Sequence, residues 1–476
     1  MSPRPSVHRF LRDKAVLLTG GTGFLGKVVV DRLLTYAPDL RRIYLLIRTP
    51  AGPGAQEAAV GRFENEVLTS GAFDALSRAH GMRWPSLARE KVVPVAGDVS
   101  EPRLGLSVAA FDVLTSTVDI VINSAASVVF DAPLDEAYRH NTLSVQRVAE
   151  FARACRAAVL VHVSTAFVAG QRSGRVLEGP LSPDLSETEP DAIARIVATV
   201  MEEARARRWD ARTTRAHLVE AGMTRARSLG WHDNYTYTKA LGEMVLARHR
   251  GAVPTTVIRP SIIESSLRTP AVGWLENLNV CDPLFVEYGR GRMPHFPFGV
   301  DTIYDIVPAD LVANALLAML PLVAANTAMS YYTVGSGSLN PMTGAQLYDI
   351  THEYFTRHPM RDRRGRPIPV RQLAMPTLER FREMYAGEAQ RSATKRRLLY
   401  LADLYATYMH SGCVFDTTNA QRLFDGLDDD ERAGLDFDVR PIDWRAYLQE
   451  VHIPGLRRHV LREGVRLDAG GSTGRG

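Results

Sequence analysis

Apolar positions along the chain gather into short runs, separated by longer stretches whose apolar residues recur at helical spacing. Residues 15–19 (AVLLT), 42–48 (RIYLLIR), 92–97 (VVPVAG), 119–126 (DIVINSAA), 159–166 (VLVHVSTA) and 255–262 (TTVIRPSI) read as six strands covered on both faces. Segments of helical period lie between most of them, beginning with KVVVDRLLTYAP, which Pro38 closes. This alternation predicts an α/β fold, a doubly wound parallel sheet of Rossmann type.

Two segments break the alternation. Residues 187–233 form an insertion in which Ile193, Ile196, Val197, Val200 and Met201 recur at i, i+3, i+4, i+7 and i+8, with Arg205, Arg207 and Arg208 beyond. The pattern predicts an amphipathic helix packed on the rim of the sheet, with a mobile lid over an apolar substrate as the other reading. Residues 340–476 are mostly helical in pattern and have no place in a dinucleotide-binding sheet. They are expected to form a C-terminal module, leaving 1–335 for the sheet and its substrate region. A run from Leu311, LVANALLAMLPLVAA, contains Asn314 and Pro321 and is too short to span a bilayer. It predicts a buried helix and leaves peripheral membrane contact open.

At 476 residues the chain exceeds the usual size of a single core, which agrees with two joined units. Composition (45% hydrophobic, 23% charged) is that of an ordinary globular protein. The formal net charge of +4 is mild, which points away from a nucleic-acid partner. Cys155, Cys281 and Cys413 have no metal-ligand spacing, so no metal site is expected and the thiols read as packed and reduced, as in a cytoplasmic protein. The N-terminus shows no apolar signal region. None of these features fixes the oligomeric state.

Candidate chemistry begins at Thr19-Gly20-Gly21-Thr22-Gly23-Phe24-Leu25-Gly26, placed between the first strand and a helix. Glycines there permit a tight turn and let backbone amides meet a pyrophosphate at the positive end of the helix. Thr22, Phe24 and Leu25 share the turn. The second strand ends on Arg48, where an NAD site would carry an acidic residue. A guanidinium suits a 2′-phosphate, so NADPH is the expected cofactor. Asp98 and Val99, after the third strand, are placed to meet the adenine, and Ser124 and Ala125 complete the cofactor-facing set after the fourth.

The stretch NYTYTKALGE (234–243) follows the fifth strand and opens a helix. Residues four apart share a helix face, so Tyr235 and Lys239 lie side by side while Tyr237 points elsewhere. A free tyrosine has a pKa near 10. A lysine ammonium beside it is expected to favour the phenolate and to hydrogen-bond the nicotinamide ribose. Thr165, with Ser164 as its neighbour and fallback, would reach the substrate oxygen from the adjacent strand end.

TGGTGFLG, YLLIR, INSAASVVF, HVSTAF, YTYTK and VIRPSI, in this order, resemble an extended short-chain dehydrogenase/reductase. VIRPSIIESSLRTPAVGWLENLN (257–279), YDIVPADLVANALLA (304–318), VFDTTNAQRLFDGL and FDVRPIDWRAYLQEVHIPGLRRHVL narrow the resemblance to fatty acyl-CoA reductases, the male-sterility-like branch. The resemblance covers almost the whole chain. It implies a Thr165–Tyr235–Lys239 triad, cofactor contacts at Gly20, Gly23, Gly26 and Arg48, and backbone from Pro260 to Ile262 facing the nicotinamide. It further implies NADPH-dependent reduction of a long-chain acyl thioester, on coenzyme A or acyl carrier protein, to a fatty alcohol through an aldehyde. Many eukaryotic members carry a C-terminal membrane span; this sequence shows none, which speaks against stable anchoring.

Three other readings compete: an aldehyde-forming two-electron reductase, a nucleotide-sugar epimerase or dehydratase, and a redox-sensing binding protein. Arg48 and the C-terminal segment count against the epimerase, and the intact Tyr235/Lys239 pair against the sensor. The basic loop 360–371 (MRDRRGRPIPVR) reads as a solvated loop, with carrier phosphates or an acidic carrier protein as the other reading.

Overall fold

The computed structural model describes residues 6–181 and 189–463. The strands of its main sheet are β1 (Ala15–Thr19), β2 (Arg42–Ile47), β3 (Val92–Ala96), β4 (Ile120–Asn123), β5 (Val159–Val163), β7 (Thr255–Pro260) and β10 (Ser330–Val334). All pair in parallel, in the order β10-β7-β5-β4-β1-β2-β3. Six of these match the apolar runs. The seventh, β10, was not among them because it is an edge strand whose first three residues are only half covered. The central strands β1, β4 and β5 are buried along their whole length, as their valine-, leucine- and isoleucine-rich sequences require.

Register brings the functional ends level. Thr19 pairs with Asn123, Asn123 with His162, and Val163 with Ile258. The strand order reverses between β1 and β4, and a crevice therefore opens beyond their carboxyl ends. Two small parallel pairs flank the sheet: β6 (Ser173–Val176) with β11 (Gly412–Phe415), and β8 (Ile262–Glu264) with β9 (Ile306–Pro308).

The segment from 340 onward shares its core with the sheet. One apolar cluster runs from Val16, Ile122 and Val161 to Leu398, Tyr447 and Leu456. The β6–β11 pair joins the two segments by backbone hydrogen bonds. The run from Leu311 lies in a helix, Ala309–Ala324, buried on nearly every side. Among the described residues no helix is long and apolar enough to cross a membrane.

Two helices, Glu189–Arg207 and Ala211–Ser228, make up the insertion; residues 187 and 188 lie outside the described residues. Its apolar stripe fades along the helix. Ile193 is buried, Ile196 and Val197 half-buried, and Met201 exposed. The buried end packs with Trp231, Tyr237 and Leu241. The basic loop is exposed, with Asp362 pairing to Arg366 across its turn.

Candidate active site

The glycine turn sits at the crevice. Gly20 has φ +73°, and a Cβ there would lie 2.7 Å from the Ala125 amide nitrogen and 2.8 Å from the Ser124 carbonyl oxygen. Glycine is therefore demanded twice, by the left-handed backbone and by the close approach of β4. A Cβ on Gly26 would stand 2.2 Å from the Gly20 carbonyl, so the first turn of the Phe24–Tyr36 helix rests directly on the loop. Gly23 begins that helix without a side-chain cap, which leaves its first amides for a ligand. Across the crevice, the Thr19 hydroxyl donates to Asn123 Oδ1 (2.7 Å) and accepts from the Ala125 amide (3.1 Å), which ties β1 to β4.

A cavity of about 960 Å³ extends from this turn. Thr22, Phe24 and Leu25 line it beside the three glycines, with Arg48, Asp98 and Val99 at one end. Ser124 and Ala125 form its floor, and Pro260 and Ile262 border the far side. Arg48 is exposed, and its carbonyl accepts from Arg62 Nη1 at 2.7 Å. Arg62 lines the same end of the cavity and pairs with Glu66 at 2.6 Å. The Asp98 carboxylate accepts from the amide (2.8 Å) and hydroxyl (2.7 Å) of Ser100, which shapes the loop after β3.

Tyr235 and Lys239 share one face of the Asn234–His249 helix and line the cavity together with Thr165 and Ser164. Asp233 caps this helix, accepting from the Thr236 amide at 2.8 Å. Lys239 is buried and donates to the Val163 carbonyl at 2.7 Å. Burial brings its pKa down to about 8, against the pull of Glu243. The Tyr235 phenol moves the other way from expectation. Burial and the nearby Asp233 charge push its pKa up, with a Thr165 hydrogen bond opposing. Lys239 directs one of its donors to Val163, and the phenol stays protonated in the free protein. Beside this pair, the His162 ring is held neutral by burial and by the Lys239 charge.

Tyr237 is fully buried on the opposite face, where its hydroxyl donates to Glu189. Glu189 in turn takes two hydrogen bonds from Arg225, at 2.8 and 2.6 Å. Tyr237 thus fastens the insertion to the helix of Tyr235. No described residue of the insertion lines the cavity, so the packed-helix reading describes it and the lid reading does not. Nor does the basic loop 360–371 reach the cavity.

The wall opposite the glycine turn was not anticipated. Tyr400, Leu404, Tyr405 and Tyr408 project into the cavity from the Ala393–Met409 helix of the C-terminal segment. They meet Phe130, whose ring packs on Tyr235 (5.7 Å), Tyr405 (6.1 Å) and Tyr408 (5.2 Å). Leu278, Val280 and Ile263 continue the apolar lining. The sequence signal was present: residues 400, 404 and 408 recur at i, i+4 and i+8, beside a core stripe of Leu398, Leu401, Ala402 and Tyr405. Arg62 carried no signal, because nothing local ties it to Arg48. The arrangement joins an anion-accepting turn, a protonated phenol beside a lysine, and an apolar aromatic wall in one space.

Comparison with known proteins agrees with this layout. The family described as male sterility protein matches residues 18–316 through its nucleotide-binding part and 380–463 through its C-terminal part. Fatty acyl-CoA reductase 2 of Arabidopsis thaliana is 34% identical over 95% of this chain and 79% of its own length. The alcohol-forming fatty acyl-CoA reductase of Simmondsia chinensis is 32% identical over 97% of this chain and all of its own. The fold is shared with the terminal R domain of the myxalamid PKS-NRPS pathway, at TM-score 0.64 and 18% identity, covering 94% of this chain and 91% of that one. The reductase domain of a nonribosomal peptide synthetase from Mycobacterium tuberculosis gives 0.60 and 23%, covering 96% and 93%. The chain belongs to the male sterility protein family, the fatty acyl-CoA reductases.

Proposed function

We propose that this protein reduces a long-chain fatty acyl thioester to the fatty alcohol, using NADPH, with acyl-CoA as the preferred carrier. The observation that carries the reading is the single cavity in which the glycine turn, Tyr235 with Lys239 and Thr165, and the apolar wall from the C-terminal helix all meet. The residues fit a dinucleotide: Gly20 and Gly26 permit the tight turn and the close seating of the helix on it, which leaves the helix's first amides for a pyrophosphate, and Arg48 with Arg62 would meet a 2′-phosphate. We read residues 1–335 as the nucleotide-binding and substrate unit and 340–476 as the segment that supplies the apolar wall.

When bound, the nicotinamide supplies hydride to the thioester carbonyl carbon. Charge then develops on the carbonyl oxygen, and donors placed there lower the barrier. Tyr235, kept protonated by burial, gives that oxygen its proton, and the Thr165 hydroxyl holds it. Lys239, whose ammonium donates to the Val163 carbonyl, would offer its remaining donors to the ribose. Collapse of the hemithioacetal expels the thiolate, an undemanding step because a thiol ionises near pH 8.5, and returns the proton to sulfur. The apolar wall retains the aldehyde. Once solvent has restored the Tyr235 proton and a second NADPH has replaced the spent one, a second hydride and a second proton from Tyr235 would give the alcohol. Catalysis in the cytoplasm is part of the same proposal.

Oxidation of NADPH that requires a long-chain acyl-CoA, and that no nucleotide sugar elicits, tests the assignment. Turnover with a nucleotide sugar and none with acyl-CoA would reverse it.

A further inference from the structure

Behind the apolar wall lies a second hollow of about 30 Å³. Phe167, Ile262, Val280, Tyr405 and Tyr408 border both spaces, so one layer of side chains divides them. Leu284, Met409 and Phe415 form part of the far side, which makes the hollow largely apolar. At that size it admits about one water-sized group. A longer occupant has to move the partition.

The two tyrosines of the partition are held differently. The Tyr408 hydroxyl is fixed to the Asp233 carboxylate, and its ring packs on Phe130 and Phe167, the latter with centroids 5.1 Å apart. Tyr405 is 7% exposed, and its ring stands edge-on to Phe130 at 6.1 Å. Among the described residues its hydroxyl makes no hydrogen bond. Rotating Tyr408 would strip a buried carboxylate of a donor. Rotating Tyr405 breaks ring packing and no hydrogen bond.

We propose that Tyr405 is the gate of an acyl channel, and that the hollow behind it receives the methyl end of a long acyl chain. Residue 405 then sets the chain length at which binding begins to require a side-chain rotation. This inference rests on the acyl thioester reading above. Short chains end in front of the ring, and long chains displace it to reach the hollow.

The test compares kcat/KM for decanoyl-, hexadecanoyl- and eicosanoyl-CoA in the unmodified protein, Tyr405→Ala, Tyr405→Phe and Leu284→Phe. Tyr405→Ala raises the eicosanoyl-to-decanoyl ratio about tenfold, the scale on which apolar pockets discriminate chain size. Leu284→Phe, which fills the hollow from behind, lowers the ratio, and Tyr405→Phe, which keeps the ring, does not shift it. Should Tyr405→Ala fail to fold, Tyr405→Leu carries the same expectation. A ratio unmoved in Tyr405→Ala or in Leu284→Phe, with decanoyl-CoA still reduced, overturns the gate. Failure of the unmodified protein to reduce any acyl-CoA overturns the parent reading instead, and the gate with it.

Discussion

The Tyr408 hydroxyl donates to the Asp233 carboxylate, so a side chain of the C-terminal segment holds the cap of the helix that carries Tyr235 and Lys239. Asp233 also accepts from the amide and the hydroxyl of Thr236, at 2.8 and 2.9 Å, and is buried. The apolar wall and the helix of Tyr235 are therefore positioned by one shared contact.

Removing that hydroxyl leaves a buried carboxylate short of a donor. Tyr408→Phe is expected to cost about 1–3 kcal/mol in urea denaturation. It should also lower kcat for acyl-CoA reduction, because the Tyr235 helix loses part of its cap. Unchanged stability would show that the contact does not carry the cap.

Tyr237 makes a parallel bond on the other side of the same helix. Its partner Glu189 keeps both hydrogen bonds from Arg225 when the phenol is lost. Tyr237→Phe should stay active and lose about 0.5–1.5 kcal/mol of stability. Tyr235→Phe should lose turnover while still binding NADPH. Equal loss of turnover in both variants, measured as NADPH oxidation, would contradict the choice of Tyr235.

Arg48 and Arg62 converge at one end of the cavity. If they meet a 2′-phosphate, Arg48→Ala raises the Michaelis constant for NADPH far more than that for NADH. Arg62→Ala does the same more weakly, since Glu66 shares its guanidinium. A parallel rise for both nucleotides in Arg48→Ala would remove the phosphate contact from the account.

Lys239 gives a pH signature with two opposite signs. Burial lowers its pKa to about 8, so the folded protein releases this proton while the unfolded chain still holds it. Between about pH 8 and about pH 10 this residue makes stability rise with pH, because the unfolded state binds more protons. Over the same rise through pH 8 the ammonium is lost, and kcat/KM for NADPH should fall. Lys239→Met should abolish both trends in parallel denaturation and rate profiles. Survival of either trend in the variant would assign it to another group.

Much of the scaffold was legible because burial on both faces writes itself as continuous apolar runs: AVLLT, DIVIN and VLVHV each became a fully covered strand. Strand β10, SYYTV, escaped because an edge strand shows no such run. The pairing of β6 with β11 joins residues more than two hundred positions apart, and SGRV is mostly exposed, so nothing local announces it. The same holds for the site. The turn, Arg48 and the Tyr235/Lys239 face follow from local spacing. Tyr405 and Tyr408 depend on how a distant helix packs. The environment of Tyr235 was misjudged for a related reason: spacing placed a lysine next to it, but burial and Asp233 decide the direction of its pKa.

Product analysis with excess NADPH and hexadecanoyl-CoA, for the unmodified protein and Tyr235→Phe, tests the central claim most directly. The account predicts hexadecanol, with two NADPH consumed per alcohol formed, and no reduced product from the variant despite retained NADPH binding. Hexadecanal as the sole product, or hexadecanol still formed at the unmodified rate by Tyr235→Phe, would contradict it.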